Sequence, residues 1–259
     1  MKPPLPYTTS NNLLSKERMR SFMKDVLDVH MHTIASGHAY STVREMITVA
    51  KERGLELVGL SEHGPAMEGS CGQMYFCNFK VIRQQEWGIR VMMGAELNIM
   101  DYAGSVDLPA QRLRGLDYAI ASLHDNVINP GTREENTAAI LGAMRNPAVS
   151  IIGHPDNPVY PVDFNALARA AKEQHVLLEI NNSSYKPNGS RSGSEPYGRQ
   201  LLAACKQYGT SVICGSDAHI DLDVGTHEYS WKLIEACDFP EELVVNTSVE
   251  KFQSFLHVR

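Results

Sequence analysis

The sequence has no long apolar segment and no cluster of basic residues. No stretch of its 259 residues approaches the length of a membrane-spanning helix, so we expect no membrane association. The formal net charge is −6 and no run of Lys and Arg forms a basic stripe, which argues against a long nucleic-acid partner. Residues 1–24 are polar and contain several prolines, and they lack the apolar block of a secretory signal. We interpret them as the N-terminal extension, with a candidate helix over Leu13 to Met23, of a cytoplasmic protein.

Cysteine is scarce, and the motifs of several hydrolase classes are missing. The five cysteines are an odd number, which fits reduced thiols better than a disulfide framework. Cys71 and Cys77 match no familiar zinc-ribbon spacing, and we interpret them as packed thiols. The sequence contains no GxSxG elbow, no Walker loop, no HExxH motif and no cysteine-phosphatase loop. It therefore points to no protein nucleophile.

Short apolar runs alternate with stretches of helical spacing along most of the chain. Strands that alternate with helices form a parallel sheet with right-handed crossovers, so the pattern predicts an α/β fold. Thr42 and Thr132 each open a capping box at the start of a predicted helix. With 43% apolar residues, the chain can bury the core of one large barrel-type domain. The predicted strands lie in 25–32, 55–61, 89–95, 116–123, 148–153, 176–181 and 211–216, with 243–245 as a candidate eighth, and the predicted helices in 42–53, 74–86, 132–145, 164–174, 195–208, 229–236 and 249–256.

Side chains of metal-binding type follow these strands at the point where each strand ends. His30 and His32 are two residues apart, so on a strand both imidazoles face the same side. In a doubly wound open sheet the strand ends would spread over tens of ångströms, at about 5 Å per strand, whereas in a closed barrel they meet on one face. We therefore predict a (β/α) barrel of seven or eight parallel strands. The strand-end residues are His30, His32, His63, Glu96, His124, His154, Asp217 and His219.

The histidines are distributed in a way that favours a metal centre. An HxH pair by itself is a weak signal, because short motifs often occur by chance. Seven of the ten histidines, however, fall at or just beyond strand ends, and independent core or surface histidines would not sort in this way. The remaining three, His175, His227 and His257, are interpreted as surface histidines.

Eight short motifs follow one another along the chain: DVHMH (28–32), SGHAYS (36–41), SEHGP (61–65), GAELN (94–98), SLHDN (122–126), IIGHPDNPVY (151–160), LEINNSS (178–184) and GSDAH (215–219). As an ordered set they resemble the PHP (polymerase and histidinol phosphatase) domain family of phosphoesterases, and most closely its YcdX-like phosphatases. The resemblance runs from about Val26 to the C-terminus, so we interpret 25–259 as one PHP domain. It implies a distorted TIM-like barrel and, from the nearest relatives, assembly into a homotrimer.

The resemblance also implies a centre of three divalent metal ions. Ions that share nine ligands keep open coordination positions, which is typical of catalytic rather than structural sites. Imidazole-rich ligation suits zinc, manganese or iron, and the family favours zinc. The implied ligands are His30, His32, Glu96 and Asp217 for the first ion, Glu96, His124 and His154 for the second, and His38, His63 and His219 for the third.

Such a centre would hydrolyse a small phosphate monoester. Three divalent ions against two carboxylates leave about four positive charges, which favour a phosphate dianion. A metal-bound hydroxide would then displace the leaving group in line. Glu96, Asp217 and His219 are the catalytic candidates, although Asp217 and His219, as ligands, would be poor proton donors. The group that protonates the leaving oxygen is not assigned.

Candidate substrate contacts lie on two loops. The loop 181–194 follows a predicted strand and carries Lys186 and Arg191, either of which can grip a phosphate. The alternative is a solvated loop with incidental charges. Asn157 and Tyr160, shortly after His154, are further candidates for lining the pocket.

Three other functions stay open. A histidinol-phosphate phosphatase would use the same chemistry on a dedicated substrate. A metal-dependent amidohydrolase would cleave C–N bonds on a similar barrel, but such enzymes usually bridge two metals with a modified lysine, and no lysine occupies a strand end here. A non-catalytic metal-binding module would be favoured by missing ligands, and none is missing. Short oligonucleotide ends also stay open as substrates.

Overall fold

The computed structural model describes residues 25–187 and 189–256, so the predicted extension 1–24 and His257 lie outside the described residues. Within them, one parallel sheet carries seven strands in chain order. This confirms the predicted α/β class and the parallel barrel. The strands are β1 (Leu27–Asp28), β2 (Leu57–His63), β3 (Arg90–Asn98), β4 (Ala119–Ser122), β5 (Ile151–Ile152), β6 (Leu177–Asn181) and β7 (Val212–Gly215).

The barrel is nearly closed between its first and last strands. Just beyond β1 and β7, Met31 and Ala218 form a parallel bridge. The amide of Asp217 donates to the carbonyl of His30 at 2.8 Å, and the amide of His32 donates to the carbonyl of Ala218 at 2.8 Å. The seam therefore closes where the first and last predicted ligands stand.

Helices connect the strands along the outside of the barrel. Thr42 and Thr132 both form the predicted capping box. Each hydroxyl accepts from the backbone amide three residues on, and the Glu side chain at that position accepts from the backbone amide of the threonine. His175 and Gly209 end two of the helices with positive φ of 57° and 65°. The helices are α1 (Val43–Glu52), α2 (Ala110–Leu113), α3 (Arg133–Met144), α4 (Phe164–Gln174), α5 (Glu195–Tyr208), α6 (Glu228–Ala236) and α7 (Val249–Gln253).

The predicted helix over 74–86 is wrong. The segment forms three short 3₁₀ helices, Tyr75–Cys77, Phe79–Ile82 and Gln84–Glu86. Phe76 and Phe79 are both buried, and they lie on separate 3₁₀ helices divided by Asn78, whose φ of −121° is not helical. Arg83 then takes a left-handed conformation, with φ of 50°, and ends the second piece.

The candidate eighth strand is also wrong. Val244 forms a single parallel bridge with Val212 between two 3₁₀ turns. The side chain of Asn246 uses the edge of β7 instead, accepting from the amide of Cys214 at 2.7 Å and donating to its carbonyl at 2.9 Å. The side-chain amide of Asn246 therefore occupies backbone groups of β7 that an eighth strand would have paired with.

The apolar core has two parts, which the alternation along each strand separates. Leu57 and Ile213 belong to an inner cluster that also contains Phe252 of α7, whereas Val58 and Val212 belong to the larger cluster under the helices. Tyr118 lies in the inner cluster and spans the barrel, since its hydroxyl donates to the carbonyl of Val29 at 2.6 Å. The space above this layer, toward the carboxyl ends of the strands, is left to polar side chains.

All five cysteines are free, as expected. Among the described residues, no helix combines the length and the apolar composition that crossing a bilayer requires.

Candidate metal centre

The structure brings the nine predicted ligands together at the carboxyl ends of the strands. His30 and His32 follow β1, and their ring centroids are 5.3 Å apart. His63 is the last residue of β2 and Glu96 lies on β3. The remaining ligands follow β4, β5 and β7, except for His38, which stands on the loop after the 3₁₀ helix Ile34–Ser36.

The carboxylate of Glu96 lies at the centre of this cluster. It is fully buried, and five imidazole nitrogens lie within 3.5 Å of its two oxygens. No other side chain in the described part of the chain gathers so many of the predicted ligands. The five distances are 3.4 Å to Nε2 of His30, 3.5 Å to Nε2 of His32, 2.8 Å to Nδ1 of His63, 3.2 Å to Nε2 of His124 and 3.0 Å to Nε2 of His154.

Asp217 is the second carboxylate of the cluster. Its Oδ1 lies 3.6 Å from Nε2 of His30 and 3.4 Å from Nε2 of His32. Its Oδ2 accepts from the guanidinium of Arg191 and, at 3.3 Å, from the amide of Asn181. One oxygen of Asp217 thus faces the histidines while the other is held by a cation.

His38 and His219 complete the cluster at its solvent side. Their ring centroids are 4.9 Å apart, and His38 lies 4.9 Å from His63. His219 also lies 4.6 Å from His32, ring to ring. His38 is exposed and His219 is partly exposed, so the outer end of the cluster can be reached from solvent.

Four of the histidines are oriented by an acceptor behind the ring. An acceptor there favours a proton on Nδ1, which leaves Nε2 of each ring as the nitrogen that can bind an ion at the centre. Carboxylate, amide, hydroxyl and backbone carbonyl all serve in this role. The pairs are His30 with Glu179 at 2.6 Å, His124 with Asn98 at 2.8 Å, His32 with Ser36 at 3.3 Å and His219 with the carbonyl of Asp217 at 3.0 Å.

Several inward-facing atoms of the cluster are buried and have no hydrogen-bond partner among the described residues. They are Nε2 of His30, Nε2 of His32, Nδ1 of His63 and Oε2 of Glu96; the last two are 2.8 Å apart but are not aligned for a hydrogen bond. A buried polar atom left in this way costs about 1–3 kcal/mol, so an arrangement of four such atoms requires a partner. Lone pairs of imidazole and carboxylate that converge on one space fit a divalent metal ion. Three overlapping groups of donors lie within 4.8 Å of one another: His30, His32 and Asp217; His32, His63 and His219; and His63, Glu96 and His124.

The electrostatics of the cluster favour the protonation states that metal ligands need at Glu96, His154 and His32, but not at His30. Burial lowers the pKa of His30, but Glu179, Glu96 and Asp217 outweigh it and raise that pKa well above its usual range. Burial alone would raise the pKa of Glu96, but His124, His30 and His63 outweigh it and hold that pKa well below its usual range. Burial, and then the charge of Arg191, lower the pKa of His154 to about 4. Burial likewise holds the pKa of His32 well below its usual range. Ionised carboxylates and neutral imidazoles bind metal ions without first losing a proton.

Two ligands have strained backbones that their neighbours hold in place. His154 and Asp217 have positive φ, of 30° and 53°. The amide of His154 donates to Oε2 of Glu179 at 2.8 Å. Strain of this kind persists only where surrounding contacts enforce it, and it is concentrated at functional sites.

A cleft of about 690 Å³ opens over the cluster. Arg191 lines it, as predicted for a substrate contact. Lys186 is directed elsewhere, since its ammonium group lies 2.8 Å from the carboxylate of Asp223, at the edge of the cleft. The cleft is lined further by His38, Met67, Glu68, Asp125, Asn126, Ser183 and Ser190, among others.

Asn157 and Tyr160 lie behind His154 rather than in the large cleft. Both line a separate cavity of about 10 Å³. The hydroxyl of Tyr160 is buried and donates to the carbonyl of Ile128 at 2.6 Å. Substrate contact by these two residues stays a prediction.

Glu179 is a site residue that the sequence reasoning missed. Its carboxylate accepts from Nδ1 of His30, the amide of His154 and the side chain of Asn181. A Cβ added at Gly215 would lie 2.1 Å from Oε1 of Glu179, so the neighbouring strand has to be glycine there. The available signal was an acid in the middle of an apolar strand, because such an acid is buried only where it is paired.

Comparisons with known proteins agree with this geometry. Residues 28–183 match the PHP domain. The chain is 46% identical over 234 residues to a probable phosphatase of Acetivibrio thermocellus, with 90% of this chain and 96% of that protein covered. It is 45% identical over 234 residues to a probable phosphatase of Clostridium novyi, with 90% and 95% covered. The crystal structure of histidinol phosphate phosphatase from Lactococcus lactis, complexed with zinc, L-histidinol and phosphate, superposes with a TM-score of 0.57 at 20% identity, covering 83% of this chain and 95% of that one. That structure and this chain therefore share their fold.

Proposed function

The chain belongs to the PHP domain family, and from that premise we propose that it is a metal-dependent phosphatase acting on a small phosphate monoester. The observation that carries the proposal is the buried Glu96 carboxylate, with five imidazole nitrogens within 3.5 Å. A cluster built only for packing would not bury so many lone pairs without partners.

The proposed centre contains three ions, most simply zinc, with manganese or iron as alternatives. The number of donors supports more than one ion, because the three groups together contain seven different residues and a zinc ion usually takes four ligands. Divalent ions held there would acidify a water molecule and offset the charge on the phosphoryl oxygens. The proposed ligands are His30, His32, Glu96 and Asp217 for one ion, Glu96, His124 and His154 for another, and His38, His63 and His219 for the third.

Arg191 is the proposed phosphate clamp. In the described structure its Nε donates to Ser184 at 2.8 Å, and its Nη2 donates to Asn181 at 2.9 Å and to Asp217. These contacts hold the guanidinium plane at the cleft and leave the Nη1 edge for a ligand. A guanidinium fixed in this way can donate from Nη1 to a phosphate oxygen without first losing side-chain entropy. Lys186 would first have to break its ion pair with Asp223, so we propose a smaller contribution to phosphate binding for it.

The charges around the cleft support a small substrate. Glu68 and Asp125 line the cleft outside the metal cluster, as does Asp223, whose charge Lys186 offsets. The carboxylates of Glu68 and Asp125 would repel the phosphates that flank the reacting one in a long nucleic acid, whereas a single phosphate would meet the ions and Arg191. Glu96, Asp217 and His219 are the proposed catalytic residues, since all three line the cleft. Assembly into a trimer and a cytoplasmic location stay predictions.

Two alternative functions differ in their reacting bond or their substrate. A dedicated histidinol-phosphate phosphatase is compatible with the shared fold, but 20% identity to the Lactococcus lactis enzyme carries no preference for its substrate. An amidohydrolase would need a bridging lysine, and no lysine lines the cleft among the described residues.

The test combines elemental analysis of the purified full-length protein with hydrolysis of p-nitrophenyl phosphate. We expect about three transition-metal ions per chain and turnover that a chelator abolishes and added metal restores. Glu96→Gln should lose metal and turnover. The control Glu86→Gln, which changes an exposed carboxylate 3.6 Å from Arg83, should lose neither.

Each alternative predicts its own result. Bound metal together with cleavage of cyclic amides but of no phosphoester would contradict the phosphatase. Turnover confined to histidinol phosphate would favour the dedicated enzyme. Full activity with one ion per chain would refute the trinuclear centre.

A further inference from the structure

His124 can serve the centre only in one of its two neutral forms. Its Nε2 lies 3.2 Å from Oε1 of Glu96, and its Nδ1 lies 2.8 Å from Oδ1 of Asn98. A neutral imidazole carries one N–H, and both nitrogens of His124 face an acceptor, so Asn98 and Glu96 compete for that proton. Asn98 competes only while its amide oxygen faces His124; with the amide turned over, the proton would stay on Nε2, which could then not bind a metal.

Two acceptors fix the orientation of the Asn98 amide. Its Nδ2 donates to Oδ2 of Asp107 at 2.6 Å and to the carbonyl of Gly64 at 3.2 Å. Asn98 is fully buried, so water does not compete for these hydrogens. Neither a carboxylate nor a carbonyl can donate, which leaves Oδ1 of Asn98 to face His124.

Asp107 in turn is surrounded by donors. Its Oδ1 accepts from the amide of Asn98 at 3.0 Å, and its Oδ2 accepts from the amide of Ala66 at 3.0 Å as well as from the Asn98 side chain. A Cβ added at Gly64 would lie 2.2 Å from this carboxylate, so the β2 loop closes tightly over it. The surroundings require an acceptor at both oxygens.

We propose that Asp107 is a positioning residue: it orients the Asn98 amide and thereby holds His124 in the tautomer that presents Nε2 to the metal centre. The part of this inference that concerns metal rests on the proposed function. The chain of donors and acceptors from Asp107 to His124 does not.

The isosteric substitution Asp107→Asn tests the direction of each hydrogen bond. Its new NH₂ group has to face a donor in either position: the backbone amide of Asn98 at the site of Oδ1, or the backbone amide of Ala66 and the side chain of Asn98 at the site of Oδ2. Both backbone amides are fixed, but the side-chain amide of Asn98 can turn over and accept from the new NH₂ group. Turning over would present its NH₂ to Nδ1 of His124 and move the imidazole proton to Nε2.

The measurement is an imidazole ¹⁵N–¹H correlation spectrum of the full-length protein labelled in histidine and stripped of metal at pH 8. The signals of His124 are assigned from their loss in His124→Gln. We expect a larger share of the Nδ1–H form in the wild type than in Asp107→Asn, in which Glu96 would be the remaining acceptor and the proton would move to Nε2. Zinc affinity, from competition with a chelator, should fall about 10- to 100-fold, as is usual when a partner behind a ligand is lost.

Asp101→Asn is the matched control. Asp101 lies on the same loop and also accepts from two backbone amides, Ala103 at 2.9 Å and Ser105 at 3.1 Å, but it is exposed. An amide can serve there with its NH₂ in water, so both the His124 tautomer and the zinc affinity should match the wild type.

The double variant Asn98→Asp, Asp107→Asn provides the rescue. The exchanged pair again offers an acceptor to His124, so the Nδ1–H form should return even if the single variant is poorly folded. A wild-type tautomer in a folded Asp107→Asn protein, or no recovery in the double variant, would overturn the inference and leave Asp107 as a loop brace. Because the spectrum needs no turnover, a protein inert to all phosphoesters could still satisfy this test, and only the proposed function would then fail.

Discussion

His227 predicts a specific loss of stability at high pH. The sequence suggested a surface histidine, but it is buried, at 3% exposed, between two carboxylates. Its Nδ1 contacts Asp25, and its Nε2 lies 3.4 Å from Oδ1 of Asp28. Burial lowers the pKa of His227, but Asp25 and Asp28 outweigh it and raise that pKa to about 10. The charged ring ties the start of the first strand to the helix α6.

The sign and size of this stability change follow from the pKa of His227 in the native state and in the unfolded chain. A raised pKa means that the native state holds the proton more tightly than the unfolded chain, whose value is 6.5. The stabilisation is therefore complete below about pH 6.5 and is lost as the pH rises toward about 10. At about 1.4 kcal/mol for each pH unit between these values, the span is about 5 kcal/mol.

The assay is urea unfolding of metal-free wild type and His227→Gln at pH 6, 8 and 10. The difference between their free energies of unfolding should shrink by several kcal/mol across this range. His175→Gln is the control, because His175 is exposed, stacks on Phe255 at 4.1 Å between ring centroids and lies in no ion pair within the described chain. The difference in the free energy of unfolding between His175→Gln and the wild type should be the same at all three pH values. A constant difference for His227→Gln from pH 6 to 10 would refute the buried imidazolium.

Three further substitutions test the centre and the barrel beneath it. Glu96→Ala should lose at least two metal ions by elemental analysis and nearly all turnover, because five imidazoles lose their shared carboxylate; retained activity at full metal content would rule out the bridging role. Arg191→Lys keeps the charge but loses the guanidinium hydrogen bonds to Asp217 and Asn181, so KM should rise about tenfold with a smaller change in kcat. An unchanged KM would argue against the phosphate clamp. Gly94→Ala would place a Cβ 2.6 Å from the Tyr118 ring and should cost about 1–3 kcal/mol in urea unfolding, whereas a stability equal to the wild type would show that the ring can move aside.

Most of the fold was predictable because its signals are local. The helices over 164–174 and 195–208 have the predicted bounds, since their periodicity and end residues act within a few turns. The segment 74–86 was predicted wrongly because apolar residues three and four apart also suit a broken 3₁₀ path, and only packing against the barrel decides between the two. The seam between β1 and β7 involves residues nearly 190 positions apart, and no local pattern records such a pairing.

That the predicted ligands lie close together could be foreseen for a different reason. Parallel strands carry their carboxyl ends to one face, so an order of strands is enough to place His63, Glu96 and His154 near one another. The pairing of Lys186 with Asp223 has no such rule, because it joins two loops. Charged loop residues look alike in sequence whether they bind a substrate or each other.

The residues that orient the predicted ligands could not be recognised in the sequence, and the reason is chemical. What His30, His32, His124 and His219 share is an acceptor behind the ring, supplied in turn by a carboxylate, a hydroxyl, an amide and a backbone carbonyl. A motif records residue types, and here four different groups perform one role. Two of these groups are not acceptors by necessity, because a hydroxyl and an amide can donate as readily, and each becomes an acceptor here through a further carboxylate. Glu62 accepts the proton of Ser36 at 2.7 Å, and Asp107 accepts a hydrogen of Asn98 at 2.6 Å. For His32 and His124, the direction of the hydrogen bond is therefore set one residue behind the partner of the ring, by acids that do not line the cleft.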